Sequence, residues 1–372
     1  MRWVRRVVIG LLVVVVLGGA LTGFWVADRS LHPDHSKGPY GVRILGLRGD
    51  RIELSRTTDT ASPGVYRLEW HGGWAQISAI VTRGKHDVVR RVDHLEGSAP
   101  APETRARVRE PYVGDPGLAF GLPFDDVAIP GAVGRLPAWV VPAPVSTWAI
   151  LLHGYGGTRE DMLYLVPALH AAGVPAMLVS YRNDPGAARG SHGFTLFGQA
   201  EWHDVDAAVA FARAHGATGV VLLGASMGGT VACEYLRHGS QSSFVRGAVL
   251  DAPGLDLRSD MHYGARTHGF RGPLNWAVIG LGQDVMRVWA RMNFDDLDEL
   301  AHAREFRVPI LIFHGEADDV SSVAHSRTLA RERRDLVRLV TTPRAGHVQS
   351  WNVDWSRYEA TLTQFLHSVG VR

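Results

Sequence analysis

Ser226 is the residue in this chain best placed by its neighbours to attack a carbonyl. It is centred in Gly224-Ala225-Ser226-Met227-Gly228, directly after the apolar run 220–223 and before residues that suit a helix. A strand turning sharply into a helix at such a pattern exposes its central serine and holds it in a strained backbone conformation. Glycines two residues to either side leave space where side chains would collide. The same turn aims the Met227 backbone N–H at the space in front of the hydroxyl. A serine hydroxyl is a poor nucleophile at neutral pH and needs a base to take its proton. His347, in Ala345-Gly346-His347, is the base expected, because imidazole titrates near neutrality and can pass the proton to a leaving group. Asp318 is the acid expected to fix the imidazole tautomer and stabilise the imidazolium. Its neighbour Asp319 and the earlier Asp251 are rivals for that role.

These residues need a framework that brings them together. Apolar, strand-like runs occur at 148–152, 175–180, 220–223, 247–250, 308–313 and 337–342. Helix-like segments at 161–172, 201–215, 323–334 and 355–369 alternate with them. Such alternation implies a mostly parallel sheet covered by helices on both faces. Sites in such sheets lie beyond the carboxyl ends of the strands. His153, Ser226, Asp318 and His347 each follow a strand end, so one site is expected. Between 254 and 307 no strand is evident and 275–292 reads as an aromatic-rich helix, which makes 254–307 a possible cap. Cys233, seven residues past Ser226, reads as a buried helical thiol.

With these pieces assembled, the chain resembles the α/β-hydrolase superfamily over about residues 122–372. The resemblance rests on HGYGG at 153–157, GASMG at 224–228, HGEADDV at 314–320 and AGH at 345–347, in the order Ser, Asp, His that this fold uses. The bacterial esterase, lipase and serine-peptidase branches are the nearest in character. The resemblance implies that the backbone N–H groups of Tyr155 and Met227 form the oxyanion hole, where losing one donor typically costs about 3 kcal/mol of barrier. It also implies that His153 shapes the oxyanion loop; His192 and His203 read as scaffold or surface.

The N-terminal part stands outside that resemblance. Residues 7–27 carry no charge and follow Arg2, Arg5 and Arg6, the pattern of a transmembrane signal-anchor with a cytoplasmic N-terminus and an exported body; a cleaved signal peptide is the rival. Residues 28–39 are polar with Pro and Gly and read as a linker. Short alternating runs with turns at Gly49-Asp50 and Gly72-Gly73 predict a small antiparallel sheet or partial barrel between about 38 and 100, and 98–111 reads as a connector. The expected organisation is therefore 1–27 anchor, 28–121 linker and β-rich appendage, and 122–372 catalytic domain. The appendage is expected to fold separately.

Composition narrows the function further. The 372 residues have a net charge of +2 with no long run of one sign, so no nucleic-acid partner is expected. One cysteine excludes an internal disulfide and any cysteine-based metal site. No metal-ligand spacing or phosphate-binding loop is evident, so no cofactor is expected. The sequence thus points to a membrane-anchored serine hydrolase acting on carboxylic esters of a small-molecule or lipid-like acyl substrate. A peptidase or amidase, or an acyltransferase, would use the same triad; a non-catalytic binding protein is the reading from another class. The residues that bind the substrate are not legible.

Overall fold

The computed structural model describes residues 2–36 and 38–372, and leaves out the side chains of 2, 7–17, 191 and 274. Six antiparallel strands form a closed barrel in the order β1-β2-β5-β4-β3-β6: β1 Val42–Arg48, β2 Arg51–Ser55, β3 Tyr66–Trp70, β4 Gly73–Arg83, β5 Asp87–Gly97 and β6 Arg105–Arg109. The alternation seen in sequence turns Ile44, Ile52, Leu54, Leu68 and Ile77 inward, where all are fully buried. The barrel therefore has its own core. The sixth strand lies within the stretch expected to be a connector. Its Arg-Ala-Arg-Val-Arg sequence hides the signal, because the inward positions carry only Ala106 and Val108 while arginines face outward. By pairing with both β1 and β3, it leaves the barrel without a free edge.

An eight-stranded sheet follows, in the order β14-β13-β12-β11-β9-β10-β8-β7. Its members are β7 Asp125–Gly131, β8 Gly134–Val141, β9 Thr147–Leu152, β10 Ala176–Val179, β11 Gly219–Ala225, β12 Val245–Asp251, β13 Ile310–Gly315 and β14 Val337–Thr342. From β10 to β14 the neighbours are parallel, and β7 and β8 are antiparallel at one edge. All seven residues of β11 are buried, since helices pack on both faces of the sheet. The chain leaves β9 toward β10 and returns on the other side as β11. Loops at this reversal of direction part to form a crevice.

The N-terminal helix, Arg2–Leu31, continues past the expected end of the anchor and into the expected linker. Ala27 and Leu31, one helical turn apart, are fully buried against the cap with Phe194, Leu257, Met286 and Phe294. Pro33 follows, and a proline disfavours helix in the residue before it. The cap itself contains helices Leu257–Thr267 and Pro273–Trp289. Phe24 stacks on Trp289 with ring centroids 4.7 Å apart, and Gly23 and Gly282 allow the two helix backbones to approach closely. The stretch 7–27 expected to span a bilayer falls partly outside the described side chains. Among the described residues no helix is long and apolar enough to cross a membrane.

Burial of Leu31 makes the end of this helix part of the body. Leu31→Ala should lower unfolding free energy by about 3 kcal/mol in chemical denaturation. Trp25→Ala, at a residue 63% exposed, should change it by less than about 0.5 kcal/mol.

Candidate active site

The turn after β11 gives Ser226 a backbone of φ 53°, ψ −119°, and helix Met227–His238 starts at the next residue. A Cβ on Gly224 would run into the Gly228 carbonyl, and one on Gly228 into the carbonyl of Leu152 at the end of β9. Both positions are therefore closed to any side chain. The Ser226 N–H donates to the Asp251 carbonyl at the end of β12 (2.8 Å), which pins the turn to the neighbouring strand.

His347 lies in the loop after β14, with Nε2 2.7 Å from Ser226 Oγ and Nδ1 2.8 Å from Asp318 Oδ2. Asp318 follows β13 and is buried. Its Oδ1 accepts the Val320 and Ser321 N–H groups at 2.8 and 2.9 Å. Burial alone would raise its carboxyl, but hydrogen bonds and charge from His314 and His347 outweigh this and hold it well below the usual carboxylate range. His314, near the end of β13, is fully buried with Nε2 3.3 Å from Asp318 Oδ2 and Nδ1 2.8 Å from Ser326 Oγ. In the sequence His314 stands only as the first residue of HGEADDV, with no role of its own. Its signal was its position four residues before the acid.

The rival acids lie elsewhere. Asp319 turns to the surface, its carboxylate 3.9 Å from His268. Asp251 is buried beneath the site, where desolvation pushes its carboxyl up to about 7 against the pull of Tyr358, His314 and His347. His347 bonds to Asp318 in preference to either.

The loop after β9 comes so close to the serine that a Cβ on Gly154 would sit 3.2 Å from Ser226 Cβ. Tyr155 comes next, and the Met227 N–H is one of the helix-start donors that no intrahelical carbonyl can take. His153 is buried below this loop, bonded to Asp184 Oδ2 (2.7 Å) and to the Gly154 carbonyl (2.9 Å). The N-terminal segment holds the loop from outside. Tyr155 Oη donates to the Arg29 carbonyl (2.7 Å), its ring stacks on Phe197, and His35 Nδ1 lies 3.2 Å from the Gly157 carbonyl. Neither Asp184 nor the Arg29 contact was legible in sequence. His192 and His203 are exposed, and Cys233 is buried with its thiol pushed well up by desolvation.

The barrel reaches the loop that carries His347. Val65 exchanges two hydrogen bonds with the Asn352 amide (2.7 and 3.0 Å), Tyr66 Oη donates to Gln349 Oε1 (3.1 Å), and Gln349 Nε2 donates to Glu110 Oε1 (3.2 Å). The appendage thus has a separate core but a shared, polar seam with the body.

Two cavities meet at the serine. One, of about 240 Å³, is mainly apolar and runs along Phe197, Met227, Leu257, Met261 and Val320. The other, of about 350 Å³, is lined by His347, Glu110, Asp161, Tyr164 and Trp351. Away from the site, Glu234, His238 and Asp296 bring potential metal-ligating atoms together. The Arg237 guanidinium bonds Glu234 and Asp296 there at 2.7 Å each.

The model of the alpha/beta hydrolase family matches residues 149–361, more than half of the chain. A model described as a domain of unknown function (DUF8805) matches residues 43–109, the barrel. No curated protein matches. Among solved structures, the Pyrococcus furiosus esterase Pf2001 aligns with a TM-score of 0.57 at 19% identity, covering 69% of this chain and 95% of that one. A second crystal form of it aligns at 0.56 and 20% identity, covering 70% and 98%. Likeness at these identities speaks for the fold alone.

The closeness of Gly228 to Leu152 gives a direct stability test. Gly228→Ala should cost about 2–4 kcal/mol by thermal unfolding, since backbone must move to admit the methyl group. Gly280→Ala, in a cap helix with open space around it, should instead be neutral or stabilise by up to about 1 kcal/mol.

Proposed function

The chain belongs to the alpha/beta hydrolase family, and from that premise we propose that it is a membrane-anchored serine hydrolase of carboxylic esters. The reading is carried by one observation, the unbroken hydrogen-bond chain from Asp318 through His347 to Ser226. In this mechanism His347 Nε2 takes the Ser226 proton as Oγ attacks the ester carbonyl. Asp318 holds Nδ1–H and stabilises the imidazolium that forms. The Tyr155 and Met227 backbone N–H groups receive the oxyanion. Collapse of the tetrahedral intermediate breaks the C–O bond, and the alcohol leaves with the proton that His347 carried. Water then repeats the sequence to release the acid. The apolar cavity without His347 in its wall suits the acyl chain, in keeping with a lipid-like acyl group.

Membrane anchoring is supported by the arginines at positions 2, 5 and 6, the uncharged stretch that follows, and apolar residues exposed further along the helix. Leu21, Phe24 and Trp25 are at least half exposed, and Trp276 and Val288 on the adjoining cap helix are exposed too. Aromatic and aliphatic groups of this kind suit a membrane interface. The body would then lie outside the cytoplasm. A C-terminal reporter that works only there should be active in the membrane fraction; activity of a cytoplasm-only reporter at that end would refute the orientation.

The triad is tested by covalent labelling. A fluorophosphonate should modify wild-type protein at Ser226, and Ser226→Ala should abolish both labelling and ester turnover. His347→Ala should come close to that loss, and Asp318→Asn should lower kcat by about 10²–10⁴-fold. Asp319→Asn should retain most activity. A folded protein that resists the probe and turns over no ester would leave the hydrolase reading without support.

A further inference from the structure

The cavity beside His347 continues under the barrel. A second lobe of about 290 Å³, sharing Glu110, His347 and Gln349 with the first, is lined by Asp59, Tyr66 and Arg109 from the barrel side and by Asp319 from the body. We infer that this lobe is a leaving-group subsite completed by the barrel, and that it selects esters whose alcohol carries a positive charge. The inference rests on the ester-hydrolase reading above for its chemistry, and goes beyond it in assigning the substrate class and a role for the barrel.

The side of the serine is fixed by proton transfer. The leaving oxygen must receive its proton from His347 Nε2, so the alcohol has to lie on the side where His347 forms the wall. The apolar cavity touches Ser226 and Met227 without His347 and takes the acyl group. A charge in the alcohol therefore projects toward Glu110 and the barrel.

The sign follows from the lining. Asp59, Glu110 and Asp319 line the lobe, the last with its carboxylate near the surface, and Asp161 stands in the wall of the adjoining cavity. Among the described residues that line the lobe, Arg109 is the one guanidinium; its Nη2 lies 3.9 Å from Glu160 in the body and its buried Nη1 has no hydrogen-bond partner, so a single cation stands against three carboxyl groups. Glu110 uses only Oε1, which accepts from Gln349; its Oε2 is buried and has no hydrogen-bond partner among the described residues. Burial and the nearby Asp161 push this carboxyl up to about 7, with Gln349 and Arg109 pulling it down less. A cation bound beside it would favour the ionised form. Tyr164 and Trp351, stacked with ring centroids 4.6 Å apart, add aromatic surface on which an ammonium group gains further attraction. An anionic alcohol would meet like charge on most sides.

Butyrylcholine and the butyrate ester of 3,3-dimethylbutanol share their shape and differ in charge, so they isolate the effect. Wild-type protein should hydrolyse the choline ester with kcat/KM about tenfold or more above the neutral ester, a modest effect for opposite charges a few ångströms apart out of bulk water. E110Q should lower that ratio several-fold. A brace for Gln349 alone would lower both esters equally, and an unchanged ratio in E110Q overturns the inference, as does a wild-type ratio of one or less. Titration of choline itself into S226A and S226A/E110Q protein reads the subsite without turnover, and should show binding lost in the second. Undiminished binding overturns the subsite. Binding lost as expected, with neither ester turned over by wild type, would keep the cation subsite and remove the hydrolase reading.

Discussion

The whole arrangement depends on one close approach, that of Gly228 to the carbonyl of Leu152. The elbow fits only because β9 and the first turn of the helix after β11 pack without a side chain between them. This holds Ser226 at positive φ, a conformation costing on the order of 1–3 kcal/mol that surrounding structure must offset. The buried strands β9, β11 and β12 supply that support, and the Ser226 N–H to Asp251 carbonyl bond locks the turn to β12. The same close approach brings the loop after β9 against the serine, so one packing contact sets both the hydroxyl and the oxyanion donors of the proposed mechanism.

Two parts that lie outside the sheet steady its loops. The end of the N-terminal helix holds Tyr155 through the Arg29 carbonyl, and the barrel holds the His347 loop through Asn352 and Gln349. Loops that carry reacting groups gain from such bracing, since small displacements of a base or donor cost rate steeply. The barrel therefore borders the site and also anchors it. The N-terminal helix and the cap share one core, which includes Leu257 and Met261 from the wall of the apolar cavity.

Electrostatics separate two carboxyls that both lie under His347. Asp318 collects two backbone N–H groups and two imidazoles, and its carboxyl is held low. Asp251 is buried with fewer partners, and its carboxyl is pushed up. A lowered folded value means that the stabilisation from Asp318 is complete above the ordinary aspartate range and is lost only as pH falls through the depressed value. In the proposed mechanism the His347 imidazolium would face one dedicated anion, Asp318, while desolvation biases Asp251 toward its protonated form.

Local sequence was enough for everything that one segment decides. The strand, glycine spacing and helix around Ser226, the alternation of strands and helices, and the order of Ser226, Asp318 and His347 all arise from patterns a few residues long. Only the folded chain could decide what depends on distant segments meeting. The arginine-rich β6 became a strand because β1 and β3 offered it two edges, a gain that its own residues do not advertise. Residues 28–31 became helix because Ala27 and Leu31 found a cap to bury against, although their composition reads as linker. Likewise His314, Asp184 and Glu110 take their meaning from partners four, thirty-one and more than two hundred residues away. Periodicity reports which face of a segment is apolar; it carries no information on which other segment will cover it.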